Sequence, residues 1–171
     1  MKAVRFYGAH EPLKVEEIEV PKISNTDVLI KVKAAGICHT DLHFLDGTLA
    51  PWKGSLPLTL GHEIAGEVES VGGKVRKFRK GDRVVVNNGI SCGKCKYCKM
   101  GRENLCVELD QIGFTLDGGY AEYVKAPERV LVRLPRDVEY EIGALLPCGV
   151  ASSYHALSDI GDLTKGETVL I

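Results

Sequence analysis

Between residues 91 and 106 the chain reads SCGKCKYCKMGRENLC, which sets Cys92, Cys95, Cys98 and Cys106 in the spacing C-x2-C-x2-C-x7-C. Three thiols at three-residue intervals in a Lys-rich stretch are not the pattern of a buried apolar face. Four thiolates this close can wrap one tetrahedral ion, and Gly93 and Gly101 let the backbone turn around it. Such a site is closed: four sulfur ligands leave no position for a substrate, so the metal it holds is structural. Zinc is the expected ion; rubredoxin-type iron or an iron–sulfur cluster is the alternative for the same donors. Lys94, Lys96, Lys99 and Arg102 partly offset the negative charge of the thiolates. The paired histidines of the common nucleic-acid zinc finger are missing from the segment.

The rest of the chain sets bounds on its partners. Its 22 basic and 23 acidic residues give a formal net charge of −1, which supplies no electrostatic reason to bind nucleic acid or an anionic membrane. The first residues, MKAVRFYGAHEPLKVEE, are charged throughout and contain no apolar signal-peptide core. No run reaches the roughly 18 apolar residues of a spanning helix. The expected location is therefore the cytoplasm, where thiols stay reduced. Six cysteines then read as ligands or catalytic groups and not as disulfides.

The patterning is mainly β with some α. LKVEEIEVP, DVLIKVKAAG, EIAGEVESVG, DRVVVN, GYAEYVKAP and RVLVRLP read as strands, with Val28, Ile30 and Val32 on one face of the second and Lys31 and Lys33 on the other. HTDLHFLDG reads as a short helix that Thr40 or Asp41 caps and Gly47 ends. After Pro135 the chain turns Ala- and Leu-rich, predicting two helical pieces joined near Pro147. KGETVLI then reads as the start of a buried strand over Thr168, Val169, Leu170 and Ile171. Many strands followed by helix and strand predict a barrel-like β domain running into the first unit of an α/β domain.

Two further cysteines, Cys38 in GICHTDLH and Cys148 in LLPCGV, lie outside the lobe, and His62 stands in LGHEIAG. Singly, each is more readily an ordinary structural residue than a ligand. Together they would supply two thiolates and one imidazole, which with water or substrate in fourth place is a catalytic zinc arrangement.

GHEIAGEVESVGGKV (residues 61–75) resembles the zinc signature of the medium-chain dehydrogenase/reductase family, whose zinc alcohol dehydrogenases carry it. AGICHTDLH, the four-cysteine lobe, FRKGDRVVV, GGYAEYV and LLPCGVASSYHAL are also similar to that family and follow its order, so the resemblance covers essentially the whole chain. It implies a GroES-like, partly open β-barrel catalytic domain over residues 1–150, with the structural-zinc lobe at 91–106. Residues 151–171 would be the linking helix and first strand of a Rossmann cofactor domain that is cut short. It implies Cys38, His62 and Cys148 as ligands of a catalytic zinc, and Cys92, Cys95, Cys98 and Cys106 as ligands of a structural one. Glu63 matches the glutamate that can approach the metal, and Asp41 the carboxylate that holds the ligand histidine. Thr40 matches the hydroxyl that takes the substrate proton, and His43 the outer end of that relay, reached through the cofactor ribose. His39 falls at a cofactor-pyrophosphate position and Ser152 near the nicotinamide. Leu49, Trp52 and Asn88 fall along the substrate pocket.

The implied activity is an oxidoreductase that interconverts an alcohol with an aldehyde or ketone by hydride transfer to NAD or NADP. The alternatives are a polyol or amino-acid dehydrogenase of the same family, or a non-catalytic zinc-stabilised β-domain. No G-x-G-x-x-G turn follows a strand in this sequence, and SVGGKV lies inside the zinc signature. The cofactor would then be bound mainly by a missing domain, with this piece inactive alone and the full-length protein a homo-oligomer. Partners are small alcohols, aldehydes or ketones, with no nucleic acid and no membrane.

Overall fold

A computed structural model of the chain describes residues 1–49 and 56–170. Its spine is a long strand, β3 (Asp27–Gly36), paired antiparallel on one side with β5 (Glu63–Val71) and on the other with β9 (Tyr123–Pro127). Strand β6 (Arg83–Val86) adds to β5, and β10 (Leu131–Arg133) to β6, giving a five-stranded sheet in the order β10-β6-β5-β3-β9. Alternation along these strands sends Val28, Ile30, Ile64, Val68, Val84, Val86, Val124, Ala126 and Leu131 into one buried cluster. All five strands contribute to it, so the sheet curls around its own apolar face. The β3–β5 register shifts at Leu29/Ile30 and again at Val32/Ala34, irregularities that deepen the curl and re-aim the strand ends.

A second sheet joins β1 (Lys2–Phe6), β2 (Lys14–Glu17) and β4 (Leu58–Thr59) in the order β2-β1-β4. Phe6, Leu58, Leu60 and Phe114 close over Phe44 of the helix α1 (His39–Leu45), forming a separate aromatic core. The outer face of the main sheet presents Ala65, Val85 and Leu134, which bury Ala144 of α3 (Tyr140–Leu145). The chain stays helical beyond α3 through a π-helical turn at Leu146–Val150, α4 (Ala151–His155) and a second such turn at Ala156–Ile160. Pro147 occupies the first of these turns, where the sequence predicts a join between helical pieces.

The cysteine lobe is bounded by a small ribbon of β7 (Gly89–Ile90) and β8 (Asp110–Gln111), and α2 (Lys96–Lys99) lies within it. Arg129 fixes the lobe to the barrel, donating to the Ser91 carbonyl at 2.6 Å and to its hydroxyl at 3.1 Å.

The six strands read from the sequence are all present, together with β1; β4, β7 and β8 are not anticipated. Each is two residues long and has no period to read. The cap of α1 is corrected: the N-cap is Cys38, and Asp41 reaches back from the third helical position to accept from the Cys38 amide at 2.9 Å. At the other end of the chain residues 168–170 form no strand, and Leu170 is 98 % exposed. A strand needs a neighbour to pair with, and none of the described residues supplies one there. Ile171 and Trp52 lie outside the described residues. No helix among the described residues is long and apolar enough to cross a membrane.

One residue steers the passage from the second sheet into the first. Gly61 has φ +90°, and a Cβ there would lie 2.6 Å from the Tyr120 ring. Both the left-handed backbone and the close ring require glycine. Gly61→Ala is expected to cost about 2 kcal/mol or more, combining left-handed strain with overpacking. Gly81→Ala, with φ +89° but open space around it, should cost about 1 kcal/mol. Urea unfolding of the two variants checks the difference.

Candidate metal centres

Register brings the first set of donors together. The last residue of β3 pairs with the first of β5, Gly36 opposite Glu63. Cys38 therefore leaves β3 at the same end of the sheet where His62 enters β5. Cys148 arrives from the third side, on the π-helical turn that continues α3 over the face of that sheet. The ligand atoms of Cys38, His62, Glu63 and Cys148 lie within 4.8 Å of one another, and the two sulfurs are 4.0 Å apart. His62 and Glu63 are buried, and the cysteines are partly so.

Asp41 organises this cluster from behind. It is 3 % exposed, yet it stays charged: burial would raise its pKa, and contacts from His62, Tyr120 and the Cys38 amide more than offset that. Its Oδ1 stands 3.7 Å from His62 Nδ1, and neither of these buried atoms has a hydrogen-bond partner. A small ring rotation would join them, leaving Nε2 as the nitrogen for a metal. Joined, the two would form a carboxylate–histidine pair of the kind that fixes a metal ligand's tautomer. Burial works against the imidazolium, but Asp41 and then Cys38 raise the His62 pKa above its usual value. Phe114 lies tilted against the ring, centroids 4.5 Å apart, and closes its apolar side.

Tyr120 is the residue the sequence reading passes over. Its hydroxyl is 2.8 Å from Asp41 Oδ2 and 3.1 Å from the Gly36 carbonyl. Its backbone is held on both sides, through Leu60 and Val4. GGYAEYV reads as a strand and as part of the family resemblance, and neither gives the tyrosine a role; that role depends on a chain crossing 79 residues from Asp41, which no local pattern reports.

The remaining positions lie on α1 and on other elements. Thr40 is half-buried, and its Oγ1 accepts from the Cys38 thiol at 3.5 Å. His43 lies one turn farther along α1, half-exposed, and His39 is exposed at the start of the same helix. Ser152 is exposed on α4. Leu49 is 37 % exposed, and its amide donates to the His43 carbonyl at 2.9 Å. The Asn88 carbonyl accepts from Ile112, which ties the base of the lobe to the barrel.

In the lobe the four sulfurs of Cys92, Cys95, Cys98 and Cys106 also lie within 4.8 Å of one another. A tetrahedral ion with metal–sulfur bonds of about 2.3 Å would put them about 3.8 Å apart. The observed Cys92–Cys98 and Cys95–Cys98 separations are 4.0 and 3.5 Å. Backbone amides of Cys95 and Cys92 donate to the sulfurs of Cys92 and Cys106, as expected around thiolate ligands. Without a cation the cluster cannot ionise evenly. Backbone amides draw Cys95 down to about 6, whereas burial and the neighbouring sulfurs push Cys98 up to about 12. In the first cluster, burial, Cys38 and Glu63 together push Cys148 up to about 12. Both donor sets therefore fit a divalent, thiophilic ion, the lobe as a closed site and the Cys38 cluster as one with room for a further ligand.

A mainly β chain with a GroES-like partly open barrel, a four-cysteine lobe and a Cys-His-Cys cluster defines the class. Residues 24–136 match the alcohol dehydrogenase GroES-like domain, and the chain belongs to that family. It is 42 % identical to an alcohol dehydrogenase of Geobacillus stearothermophilus over 172 residues, covering 100 % of this chain and 50 % of the relative. It is 39 % identical to an NAD-dependent alcohol dehydrogenase of Sulfolobus acidocaldarius over 176 residues, covering 100 % of this chain and 51 % of the relative. A crystal structure of an NAD-dependent alcohol dehydrogenase superposes with a TM-score of 0.91 at 34 % identity, covering 98 % of this chain and 49 % of that one. The chain thus spans about half the length of the curated relatives it matches.

Two measurements probe the Cys38 cluster. Tyr120→Phe removes the hydroxyl that holds Asp41 and should weaken metal binding there by about tenfold, leaving the lobe unchanged, as read by chelator competition. Because Cys148 must lose a proton that it holds firmly, affinity at this cluster should also rise with pH. The expected slope across neutral pH is about tenfold per unit for each proton released.

Proposed function

We propose that this chain is the metal-binding catalytic portion of a zinc-dependent dehydrogenase that interconverts small alcohols with aldehydes or ketones, using NAD or NADP as the hydride partner. The observation that carries this reading is the convergence of Cys38, His62 and Cys148 from three distant segments onto one partly open cluster. A purely structural ion needs no such opening, and the lobe already supplies a closed site.

Cys38, His62 and Cys148 would hold the zinc, with Glu63 close enough to enter its coordination. When bound, the ion supplies Lewis acidity that polarises a substrate oxygen and lowers the pKa of an alcohol. Asp41 Oδ1, 3.7 Å from His62 Nδ1, would hold that ring in one tautomer once the two are joined, and Tyr120 and the Cys38 amide hold Asp41. Thr40, whose Oγ1 lies 3.5 Å from Cys38 Sγ, would take a proton from the substrate hydroxyl. One turn on, His43 reaches solvent, with 36 % of its side chain exposed, and suits the outer end of that proton path. Phe114 and the surrounding core keep water from the inner side of the cluster. Cys92, Cys95, Cys98 and Cys106 would hold a structural zinc that fixes the lobe. The curated relatives, which include a sorbitol dehydrogenase and an L-threonine 3-dehydrogenase, fit the same zinc chemistry with different alcohols.

Metal analysis tests the reading. The expected content is two zinc ions, one for each donor cluster. Cys38→Ser should remove one of them and Cys95→Ser the other. A single zinc in the unmodified chain, lost only in Cys95→Ser, would sink the catalytic assignment.

A further inference from the structure

The outer face of the main sheet continues past the part that α3 covers. Beyond Ala65 and Val85, alternation carries that face on to Glu67 and Arg83, which pair across β5 and β6. There the sheet, the turn before β6 and the segment leaving β10 border an open cleft of about 770 Å³, whose lining includes Glu67, Arg79, Asp82, Arg83, Arg133 and Arg136. Four arginines stand against two acidic residues. The cleft therefore carries an excess of two positive charges in a chain whose net charge is −1.

The arginines are held in two ways. Arg83 is fixed, because its guanidinium donates to the carbonyls of Pro135, Arg136 and Val138 at 2.9, 2.8 and 2.6 Å and lies 4.2 Å from the centroid of the Tyr140 ring. Those contacts occupy its donors and leave its charge. Arg133 is fixed as well, donating to the Lys77 carbonyl and lying 5.0 Å from the centroid of the Phe78 ring. Asp82 pairs with Arg133 at 2.9 Å and with Arg79 at 4.0 Å, and among the described residues neither Arg83 nor Arg136 forms an ion pair. Arg136 is exposed, and 90 % of the Arg79 side chain is in solvent, so both forks are open to a ligand.

We propose that this cleft binds a small phosphate-bearing anion, with Arg83 and Arg133 as the rigid cationic wall and Arg79 and Arg136 closing on the phosphate oxygens. A phosphate group carries about −1.5 to −2 charges near neutral pH, which matches the excess in the cleft. The planar guanidinium fork takes such oxygens two at a time, a geometry that a patch of lysines lacks. The near-balanced charge of the whole chain gives no attraction for an extended polyanion, so the fitting ligand is a small one. Glu67 lies four residues along β5 from Glu63, about 13 Å at the rise of a strand, so the cleft is separate from the Cys38 cluster. Binding there does not depend on the dehydrogenase reading. A bound anion would tie the turn before β6 to the segment that leads into α3.

The test titrates inorganic phosphate into the zinc-loaded chain, freed of excess zinc, at an ionic strength held constant with sodium chloride. Amide and arginine side-chain NMR of the unmodified chain reads the binding and avoids any question of folding. Saturable shifts are expected at Arg79, Gly81, Arg83 and Arg136, which line the cleft. Arg79→Gln combined with Arg136→Gln should weaken phosphate binding about tenfold or more. Lys94→Gln is the control, because it removes the same sign of charge from the lobe, where Lys94 pairs with Glu108 at 3.5 Å; its phosphate affinity should equal that of the unmodified chain. Shifts that chloride alone reproduces, shifts that never saturate, or unchanged affinity in the double arginine variant would overturn the site, whatever the zinc count shows.

Discussion

The pairing of Gly36 with Glu63 is the contact on which the rest of the Cys38 cluster depends. It is one rung of a ladder, yet it decides where two donors stand. A slip of one residue would turn Ile64 and Val68 out of the buried cluster, so the core itself locks the register. The position of the candidate donors is thereby tied to the buried cluster of the main sheet. A Cβ on Gly36 would fall 2.0 Å from Glu63 Oε2. The rung thus also reserves the space that the Glu63 carboxylate occupies beside the cluster.

Asp41 shows how a buried charge is retained in such a place. An isolated carboxylate at this depth would take up a proton. Here three neighbours prevent that, and each serves something else as well: the Cys38 amide starts α1, His62 faces the metal cluster, and Tyr120 locks the crossing between Leu60 and Val4. The charge is paid for by groups that the fold already needs. The result couples the start of a helix, the tautomer of a ligand and the closure of two sheets to one side chain.

Much of this was legible in the sequence. The four-cysteine spacing announced the lobe because its ligands are local. The long strands declared themselves through alternation, and the GHE segment pointed to His62 and Glu63. What escaped was set by distance or by brevity. Tyr120 acts across the fold, and two-residue strands carry no period. The cap of α1 was read onto Thr40 or Asp41 because those residue types usually cap. The cap lies two or three residues earlier, with the cysteine at the cap and the aspartate reaching back to it. The apolar end of the chain read as a strand because composition reports propensity, whereas a strand exists only with a partner.

The two clusters differ in how far the chain must travel to build them. Cys92 and Cys106 are 14 residues apart, so the lobe closes a short loop. Cys38 and Cys148 are 110 residues apart, and the structure holds them together only through the finished barrel and the helix laid upon it. Closing the longer loop costs more entropy, and that cost must be met before a metal can add anything. The lobe can therefore capture its ion while the chain is still collapsing. The other cluster waits for the sheet to register and for α3 to dock, so, were both clusters to take an ion, the lobe would fill first and the Cys38 cluster only in a protein already built.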